Sequence, residues 1–444
     1  MPAFLNEPAP PAGRTVLVGG RIVPLEEGSD RADERPRRTI LVAAGRIEAI
    51  IGDADGLPDD ARTIDLEGRW VLPGLIDAHI HLSMLADAGR GPVPERGAEP
   101  IRAGVLGHLV GRTLRDLLRH GVTTVRDVGA HGEAVHEARQ ATRYGAFAAP
   151  RTLISGRIVS ATAPGARFFP EMYREADGPD DIRRAVREQV RAGADFVKVM
   201  TTGARSVELE DPGPAQLTPA EVGSFVDEAH RLGVRAAAHC EGIAGTELAI
   251  VAGVDTIEHG FHLHERPDLL ERMAATGIVL VPTLDFLHHV AEDGVWTPEL
   301  TAQGVANVDH ARRTLEAARA AGVTIAVGSD GVTADGVGRE IGRLVAGGCS
   351  AIEALRAATA GGGIALGIDS VVGHIRPGQR ADLLIVDADP VADIAAVGRP
   401  ETTALVLRNG APVAGTVLER DPFGGAGQAM TVATPSARTG SSVS

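Results

Sequence analysis

Six residues with metal-binding side chains lie at or near the ends of short apolar runs, between positions 79 and 330. Apolar runs of this length are typical of buried strands, and a buried charge is costly unless it is paired or binds a metal. Six side chains of these types therefore predict a metal site that does chemistry. They are His79 and His81 in LIDAHIH, Lys198 in ADFVKVM, His239 in VRAAAHC, His259 in VDTIEHG and Asp330 in VTIAVGSD.

His79 and His81 are two residues apart, so on a strand their side chains point to the same face. Two imidazoles placed in this way can bind one metal ion. His-x-His is a weak motif by itself, and a lone pair is more often structural. Its position after an apolar strand and before a long loop favours a ligand pair.

Lys198 shares one face of its run with Phe196 and Met200. Lysine is rarely buried without a partner, and burial lowers its pKa and so exposes a neutral amine. A neutral amine can add carbon dioxide to form a carbamate, an anionic ligand able to bridge two metals. The alternatives are a lysine paired with a buried carboxylate and a Schiff-base lysine. The accompanying histidines favour the carbamate.

His239 and His259 end the next two runs and could hold a second ion, although a neighbouring histidine could be the ligand instead. Asp330 can bind the first ion and accept a proton from metal-bound water. The alternative for Asp330 is a helix N-cap, a position that aspartate often takes. The rival histidines are His262, His264, His288 and His289.

The elements that position these residues repeat as a helix, a glycine and an apolar strand. Six such joints are RHGVTTVRD, RAGADFVKV, RLGVRAAAH, VAGVDTIEH, ATGIVLVPT and AAGVTIAVGSD. Glycine ends a helix in the left-handed conformation, and a strand then follows at once. With the apolar runs at 72–81 and 151–160, the number of predicted strands is eight. Eight strands that alternate with helices predict an α/β fold with a closed (β/α)8 TIM barrel. An open doubly wound sheet is the rival, but no strand–GxGxxG–helix fingerprint supports it.

The segments on either side of the predicted barrel have a different sequence pattern, with short β-rich runs and turns that contain glycine. We expect 14–72 and 371–420 to form one small β-sandwich domain built from the N- and C-terminal segments. The barrel is expected over 73–370, with a disordered N-terminus at 1–13 and a flexible tail at 421–444. Two helix starts, at Thr218 and Ser350, fit the capping box.

Three long loops, at about 83–104, 160–180 and 202–217, follow barrel strands, where active sites are built. The second loop contains Phe168, Phe169 and Tyr173 in a chain that is poor in aromatic residues. This cluster could form the wall of a substrate pocket. It could equally be an apolar patch that packs the loop down.

Composition limits the partners. The chain has 444 residues, a net charge of −15 and no clustered basic face, so we expect no nucleic acid. No apolar stretch reaches the roughly 18 residues of a membrane span, and no secretory signal is evident at the start. Two cysteines fit a reducing, cytoplasmic location.

The chain resembles the amidohydrolase superfamily from about residue 15 to 420. PGLIDAHIH, TTVRD, the strand lysine, AAAHC, TIEHG, VPTL, GSD and PGQRADLLIVD carry the resemblance. It implies a (β/α)8 barrel with a β-sandwich, and two divalent ions, usually zinc, with manganese, iron or cobalt possible. His79, His81 and Asp330 would bind the more buried ion, His239 and His259 the other, and carboxylated Lys198 would bridge them. Homo-oligomers are common in the family.

Within that superfamily, GADFVKVMTTG and the AAAHC/TIEHG pair most resemble the branch of Xaa-Pro dipeptidases and imidazolonepropionase-like amidohydrolases. Two features depart from it. SATAPGARFFP lacks the Gly-Gly-His stretch that is typical after the third strand, and the loop after Lys198 lacks an expected tyrosine. The resemblance therefore implies the metal site but not a peptide substrate.

The expected function is a binuclear hydrolase that cleaves an amide-type C–N bond of a small molecule. A bridging hydroxide would attack the carbonyl, and Asp330 would pass its proton to the leaving nitrogen. The alternatives are an Xaa-Pro dipeptidase or carboxypeptidase-like peptidase, a carbamate or cyclic-amide hydrolase, a mononuclear deaminase, a lactonase or phosphotriesterase-like enzyme, and a non-catalytic binding protein on the same fold.

Overall fold

The computed structural model describes residues 10–26, 36–52, 61–87, 101–169, 171–205, 207, 209–292, 296–331, 333–420 and 430–431. The described strands are β1 (Arg14–Ile22), β2 (Arg37–Ala43), β3 (Arg46–Gly52), β4 (Arg62–Asp65), β5 (Trp70–Pro73), β6 (Leu75–Ile80), β7 (Val122–Asp127), β8 (Arg151–Ile154), β9 (Ile158–Ser160), β10 (Tyr173–Glu175), β11 (Phe196–Met200), β12 (Arg235–Cys240), β13 (Thr256–His259), β14 (Val279–Val281), β15 (Leu383–Val386), β16 (Thr403–Arg408), β17 (Ala411–Ala414) and β18 (Met430–Thr431).

The described α-helices alternate with the strands through the middle of the chain. They are α1 (Leu82–Asp87), α2 (Ala103–Arg119), α3 (Ala134–Arg143), α4 (Gly165–Phe168), α5 (Pro179–Ala192), α6 (Pro219–Arg231), α7 (Ile243–Ala252), α8 (Pro267–Thr276), α9 (Leu284–Glu292), α10 (Pro298–Ala320), α11 (Gly336–Ala346), α12 (Ala351–Arg356), α13 (Gly362–Leu366) and α14 (Thr416–Arg420). Shorter turns are the 3-10 segments Leu263–Glu265 and Ile394–Ala396 and the π-helical turn Ala357–Gly361.

The barrel strands pair in parallel and close into a ring, as the sequence predicts. One set runs β6-β7-β8 and the other β9-β11-β12-β13-β14. The amide of Asp195 donates to the carbonyl of Ile154 (2.8 Å), which joins the two sets. On the other side, the amide of Ala78 donates to the carbonyl of Val327 (2.8 Å) and so closes the ring through the eighth segment.

The eighth segment is less regular than expected. It pairs with β14 through one bridge between Leu280 and Ile325. The amide of Val327 donates to the carbonyl of Ala357 in the π-helical turn (3.1 Å), so it is not available to a neighbouring strand. This competing bond explains why the last strand is only a short extended segment.

Two predicted strands are each divided at a glycine. The run 151–160 forms β8 and β9, with Gly156 between them at φ 73°. The run 72–81 divides at Gly74, where a Cβ atom would lie 2.2 Å from Oγ1 of Thr123. Only glycine permits this close approach of β6 to β7, which fixes the start of the strand that carries His79.

The predicted helix boundaries are confirmed where they rest on specific chemistry. All six joint glycines have positive φ, from 74° to 99°. Thr218 and Ser350 each form both bonds of a capping box, with Glu221 and Glu353 respectively. These local signals set the length of the helices and therefore where each barrel strand begins.

Strands from both flanks form a β-sheet domain, as expected. In the described residues, nine strands belong to one sheet, in which β15 lies antiparallel between β5 and β16. Residues of both flanks, such as Leu17, Ile64 and Leu405, share one apolar core. Residues 1–9 and most of 421–444, where we predicted disorder, lie outside the described residues, but β18 pairs with β4.

None of the described helices is long and apolar enough to cross a bilayer.

Candidate metal centre

The structure brings the six predicted ligand residues to the same end of the barrel. His79 lies near the end of β6, His239 near the end of β12, and His259 ends β13. Lys198 lies within β11, and Asp330 follows the eighth segment. Five of the six are at most 8% exposed, and the side chain of His81 is 12% exposed.

Asp330 lies between the two histidines of the His-x-His pair. Its Oδ1 is 3.3 Å from Nε2 of His79 and 3.6 Å from Nε2 of His81. Its backbone has φ 55°, and its amide donates to the carbonyl of His79 (2.8 Å). No helix begins at Asp330, because the next helix starts at Gly336, so the N-cap alternative is wrong.

Hydrogen bonds on the far side of each ring orient the imidazoles of β6. Nδ1 of His79 donates to Oε2 of Glu258 (2.7 Å), and Nδ1 of His81 donates to the carbonyl of Gly129 (2.8 Å). Both neutral rings therefore direct the lone pair of Nε2 toward Asp330. Nε2 of His79 is buried and has no hydrogen-bond partner in the described residues, as expected for a metal-ligand atom.

His239 and His259 are held in a similar way on the other side of the site. Nε2 of His239 donates to the carbonyl of Gly203 (3.1 Å), and this bond leaves Nδ1 with the lone pair. Nδ1 of His259 contacts Oγ1 of Thr283 (2.7 Å). The two ring centroids are 4.6 Å apart, and that of His259 is 5.0 Å from that of His79. Four imidazoles therefore face one small volume.

Burial keeps these rings neutral. Burial, together with the charge of nearby Lys198, lowers the pKa of His81 to about 4 and that of His239 to about 3. The pKa values of His79 and His259 are also lowered well below the ordinary value, mainly by burial. A ring must be neutral to bind a metal, so all four are ready to do so near pH 7.

Lys198 is buried with 2% exposure and forms no hydrogen bond or ion pair with any described residue. Burial lowers its pKa, as the sequence predicts, and Arg126 adds to this effect while Glu258 opposes it. Burial raises the pKa of Asp330, while Lys198 opposes that rise. The lysine alternative that requires a direct carboxylate partner is therefore not observed among the described residues.

Glu258 and Arg126 are among the functional positions that the sequence reasoning missed. Glu258 is fully buried, and it accepts from Nη2 of Arg126 (2.7 Å) as well as from His79. Both residues lay in motifs already noted, TTVRD and TIEHG, as charged residues within apolar strands. That pattern is a signal for a buried ion pair, but the strands are about 130 positions apart in sequence, and no local spacing indicates that they meet.

The rival histidines do not enter the site. His288 pairs with Glu292 on α9, and the ring of His289 lies 6.1 Å from that of Trp296. His262 and His264 lie at the turn after β13 and are not among the residues that line the cavity.

The aromatic cluster of Phe168, Phe169 and Tyr173 takes both expected roles, as a wall of the cavity and as an apolar patch that packs the loop. Phe169 and Tyr173 line the cavity above the metal-ligand residues. Phe168 packs against Phe169 instead, with ring centroids 5.1 Å apart. Phe169 is also part of a small apolar core with Met172. The cluster thus both holds the loop down and supplies two aromatic side chains to the cavity.

Arg205 and Glu241 form a buried pair in the cavity wall. Nη2 of Arg205 is 2.9 Å from Oε2 of Glu241, with side chains 8% and 7% exposed. The contact lacks hydrogen-bond geometry, and Nη1 of Arg205 has no partner in the described residues. The guanidinium lies over the ring of Phe261 at 5.0 Å. A buried cation with unused donors is suited to bind an anionic group of a ligand.

The donor set fits a divalent ion of the first transition series. Ligand atoms of His79, His259 and Asp330 all lie within 4.8 Å of one another. Imidazole nitrogen with carboxylate oxygen is a combination that zinc binds well. Comparison with known proteins agrees, because residues 70–413 match the model of the amidohydrolase family. The chain belongs to the amidohydrolase family. It is therefore a hydrolase that acts on carbon–nitrogen bonds.

Several characterised amidohydrolases are similar along almost their whole length. Ochratoxinase of Aspergillus niger is 28% identical over 426 residues, which cover 89% of this chain and 86% of that protein. Imidazolonepropionase of Salinispora arenicola is 28% identical, covering 89% and 97%. The crystal structure of a Xaa-Pro dipeptidase with bound methionine has a TM-score of 0.80 and 26% identity, covering 91% and 100%. These relatives differ in substrate, so the family does not define the substrate of this chain.

Proposed function

We propose that this amidohydrolase is a binuclear metal enzyme that cleaves an amide-type C–N bond of a small molecule. The observation that carries the proposal is the buried, unpartnered Lys198 among four neutral imidazoles. His79, His81 and Asp330 would hold one ion, and His239 and His259 a second. Zinc is the metal we propose first, and manganese, iron or cobalt could replace it.

Lys198 would supply the ligand shared by the two ions. Its neutral amine adds to carbon dioxide with loss of one proton, forming an N–C bond and a carbamate anion. This anion offsets part of the positive charge that two dications would bring into a buried site. When bound, the ions polarise the substrate carbonyl and make hydroxide available near neutral pH.

Asp330 would carry the proton from the attacking water to the leaving nitrogen. Its Oδ1 already lies within 3.6 Å of the nitrogens of His79 and His81, and burial raises its pKa, which makes its carboxylate a stronger base. We propose that a carboxylate oxygen takes the proton of the attacking water and gives it to the leaving nitrogen. Phe169 and Tyr173 would cover the substrate and limit access of bulk water.

Arg205 favours one substrate class within this function. Nη1 of Arg205, which has no hydrogen-bond partner in the described residues, would bind a carboxylate of the substrate, as in an N-acyl amino acid or a dipeptide. A carboxypeptidase-like or dipeptidase-like activity is therefore the second candidate. A carbamate or cyclic amide without a carboxylate would not engage this group.

A substrate screen with a matched variant tests the proposal. Metal-replete protein would be assayed with N-acyl amino acids, Xaa-Pro dipeptides, carbamates and aryl amides. We expect turnover of at least one class, and an Asp330→Asn variant should lose about 10²- to 10⁴-fold in kcat, the usual contribution of a general base. Full activity of that variant would reject the role of Asp330, and hydrolysis of esters alone would reject the amide class.

A further inference from the structure

A second cluster of metal-ligand side chains lies outside the cavity. His262 precedes the 3-10 turn after β13, His264 lies within that turn, Glu265 ends it, and His310 lies on α10. The ring centroid of His310 is 4.3 Å from that of His262 and 5.1 Å from that of His264. None of the four lines the cavity of the barrel, so this cluster is separate from the site described above.

The tautomer of His264 follows from its hydrogen bonds. The hydroxyl of Thr314 gives its single proton to the carbonyl of Phe261 (2.8 Å). Its oxygen can therefore only accept from His264, whose backbone amide and Nδ1 both lie at 3.1 Å. Nδ1 consequently carries the hydrogen, and Nε2 of the neutral ring carries a lone pair. Nε2 is buried without a partner in the described residues, and the side chain is 5% exposed.

His262 is fixed in the same manner from its other side. The amide nitrogen of Asn307 donates to the carbonyl of Gln303 (2.8 Å), so its Oδ1 faces His262 as an acceptor. Nε2 of His262 donates to this oxygen (2.9 Å), which leaves the lone pair on Nδ1. Nδ1 of His262 faces Oε1 of Glu265 at hydrogen-bond distance (3.2 Å). A metal cation in place of a shared proton would bind both atoms.

The spacing of the four donor atoms suits one ion. Oε1 of Glu265 lies 3.2 Å from Nδ1 of His262, 3.5 Å from Nδ1 of His310 and 4.0 Å from Nε2 of His264. Two ligands of a tetrahedral zinc ion with bonds of about 2.0–2.2 Å are about 3.4 Å apart. Nδ1 of His310, like Nε2 of His264, is buried and unpartnered within the described residues. Small side-chain shifts would complete a His₃Glu cage.

We propose that His262, His264, Glu265 and His310 form an additional site for a first-row transition-metal dication such as zinc. The ion would tie the turn after β13 to α10. Between that turn and His259 lies Phe261, whose ring is 5.7 Å from the ring of His259 and 5.0 Å from the guanidinium of Arg205. The ion would thus hold part of the cavity wall without contacting the substrate.

The test counts zinc per chain after dialysis of the full-length protein against zinc buffered at about 1 μM. A His262→Ala/His310→Ala variant should hold one equivalent less than the wild type. His288→Ala, which alters a histidine paired with Glu292 elsewhere, is the matched control and should hold the wild-type number. Equal counts in the double variant and the wild type would overturn the proposal.

A second variant guards against misfolding of the first. Glu265 is half-exposed, so Glu265→Gln keeps the three rings in place and removes only the anionic ligand. We expect it to lose the same equivalent, and its loaded cobalt form should lose the intense visible absorption of one tetrahedral site. Retention of that absorption would contradict the proposal. Because both readouts are differences from the wild type, they hold whatever number of ions the barrel site binds.

Discussion

Single side chains in this protein are set by partners on other strands. Glu258 illustrates this, because one carboxylate holds the ring of His79 through Oε2 and the guanidinium of Arg126 through Oε1. The first bond fixes which nitrogen of His79 faces Asp330. A carboxylate behind a ligand imidazole also raises its basicity, so Glu258 should contribute to metal affinity without touching the ion.

We therefore expect Glu258→Gln to weaken metal binding by about 10- to 100-fold, the usual effect of changing such a partner. The amide cannot accept from both His79 and Arg126, so one bond is lost while the fold is kept. Competition with a fluorescent chelator measures the affinity. Glu299→Gln on the exposed side of α10 is the control, and an unchanged affinity in Glu258→Gln would show that Glu258 does not support metal binding through His79.

Arg205 provides a test of substrate class at the level of one side chain. Arg205→Met made together with Glu241→Gln leaves no unpaired buried charge. For a carboxylate-bearing substrate we expect KM to rise about 10- to 100-fold, since a hydrogen bond to a charged group is worth about 1.5–3 kcal/mol. The methyl ester of the same substrate should show no such rise. An equal effect on both substrates would mean that Arg205 only supports the cavity wall.

The ends of the barrel strands depart from regular geometry where the site is built. His259, Thr283 and Asp330 all have positive φ, between 48° and 69°, although none is glycine. Such backbone is costly by about 1–3 kcal/mol per residue and is found mainly where function requires it. At each of these positions the backbone turns a side chain toward the site instead of continuing the strand. Helix and strand propensities therefore do not predict these turns.

The start of α9 depends on a buried carboxylate of α11. Glu340 accepts from the amides of Leu284 (3.0 Å) and Asp285 (2.6 Å), and burial raises its pKa to about 8. In the unfolded chain this group ionises near 4.5. The native state therefore binds more protons between these values, and the stability from Glu340 falls as pH rises from about 4.5 to about 8.

We expect Glu340→Gln to be less stable at low pH by about 1 kcal/mol, because one of the two acceptors is lost. The same variant should lose less stability than the wild type when pH is raised from 5 to 9. Urea denaturation at a series of pH values measures both effects. Parallel pH profiles for the two proteins would show that Glu340 is already ionised in the folded state.

At the level of the whole chain, the regular part of the fold could be predicted from sequence. The six helix–glycine–strand joints predicted the closed barrel. The apolar runs that end at or near His79, Lys198 and Asp330 predicted where the metal site lies. The short eighth strand could not be predicted, because it results from a bond between Val327 and the distant Ala357. Arg205 and the Arg126–Glu258 pair were missed for the same reason, since their partners are far away in sequence.

The barrel as a whole explains why Lys198 is exceptional. Lys198 is only 2% exposed and lines the cavity, and no described residue offers its amine a hydrogen bond or an ion pair. Burial lowers the pKa of Lys198, so the neutral amine, which is the form that adds carbon dioxide, is more available than in an exposed lysine.

A high-resolution crystal structure of the metal-loaded protein, grown in the presence of bicarbonate, examines this conclusion. We predict continuous planar density beyond Nζ of Lys198 for a carboxylate group, with a metal peak on each side, one near His79 and His81 and one near His239 and His259. An unmodified amine at Lys198 with no metal between the imidazoles would contradict the proposed mechanism.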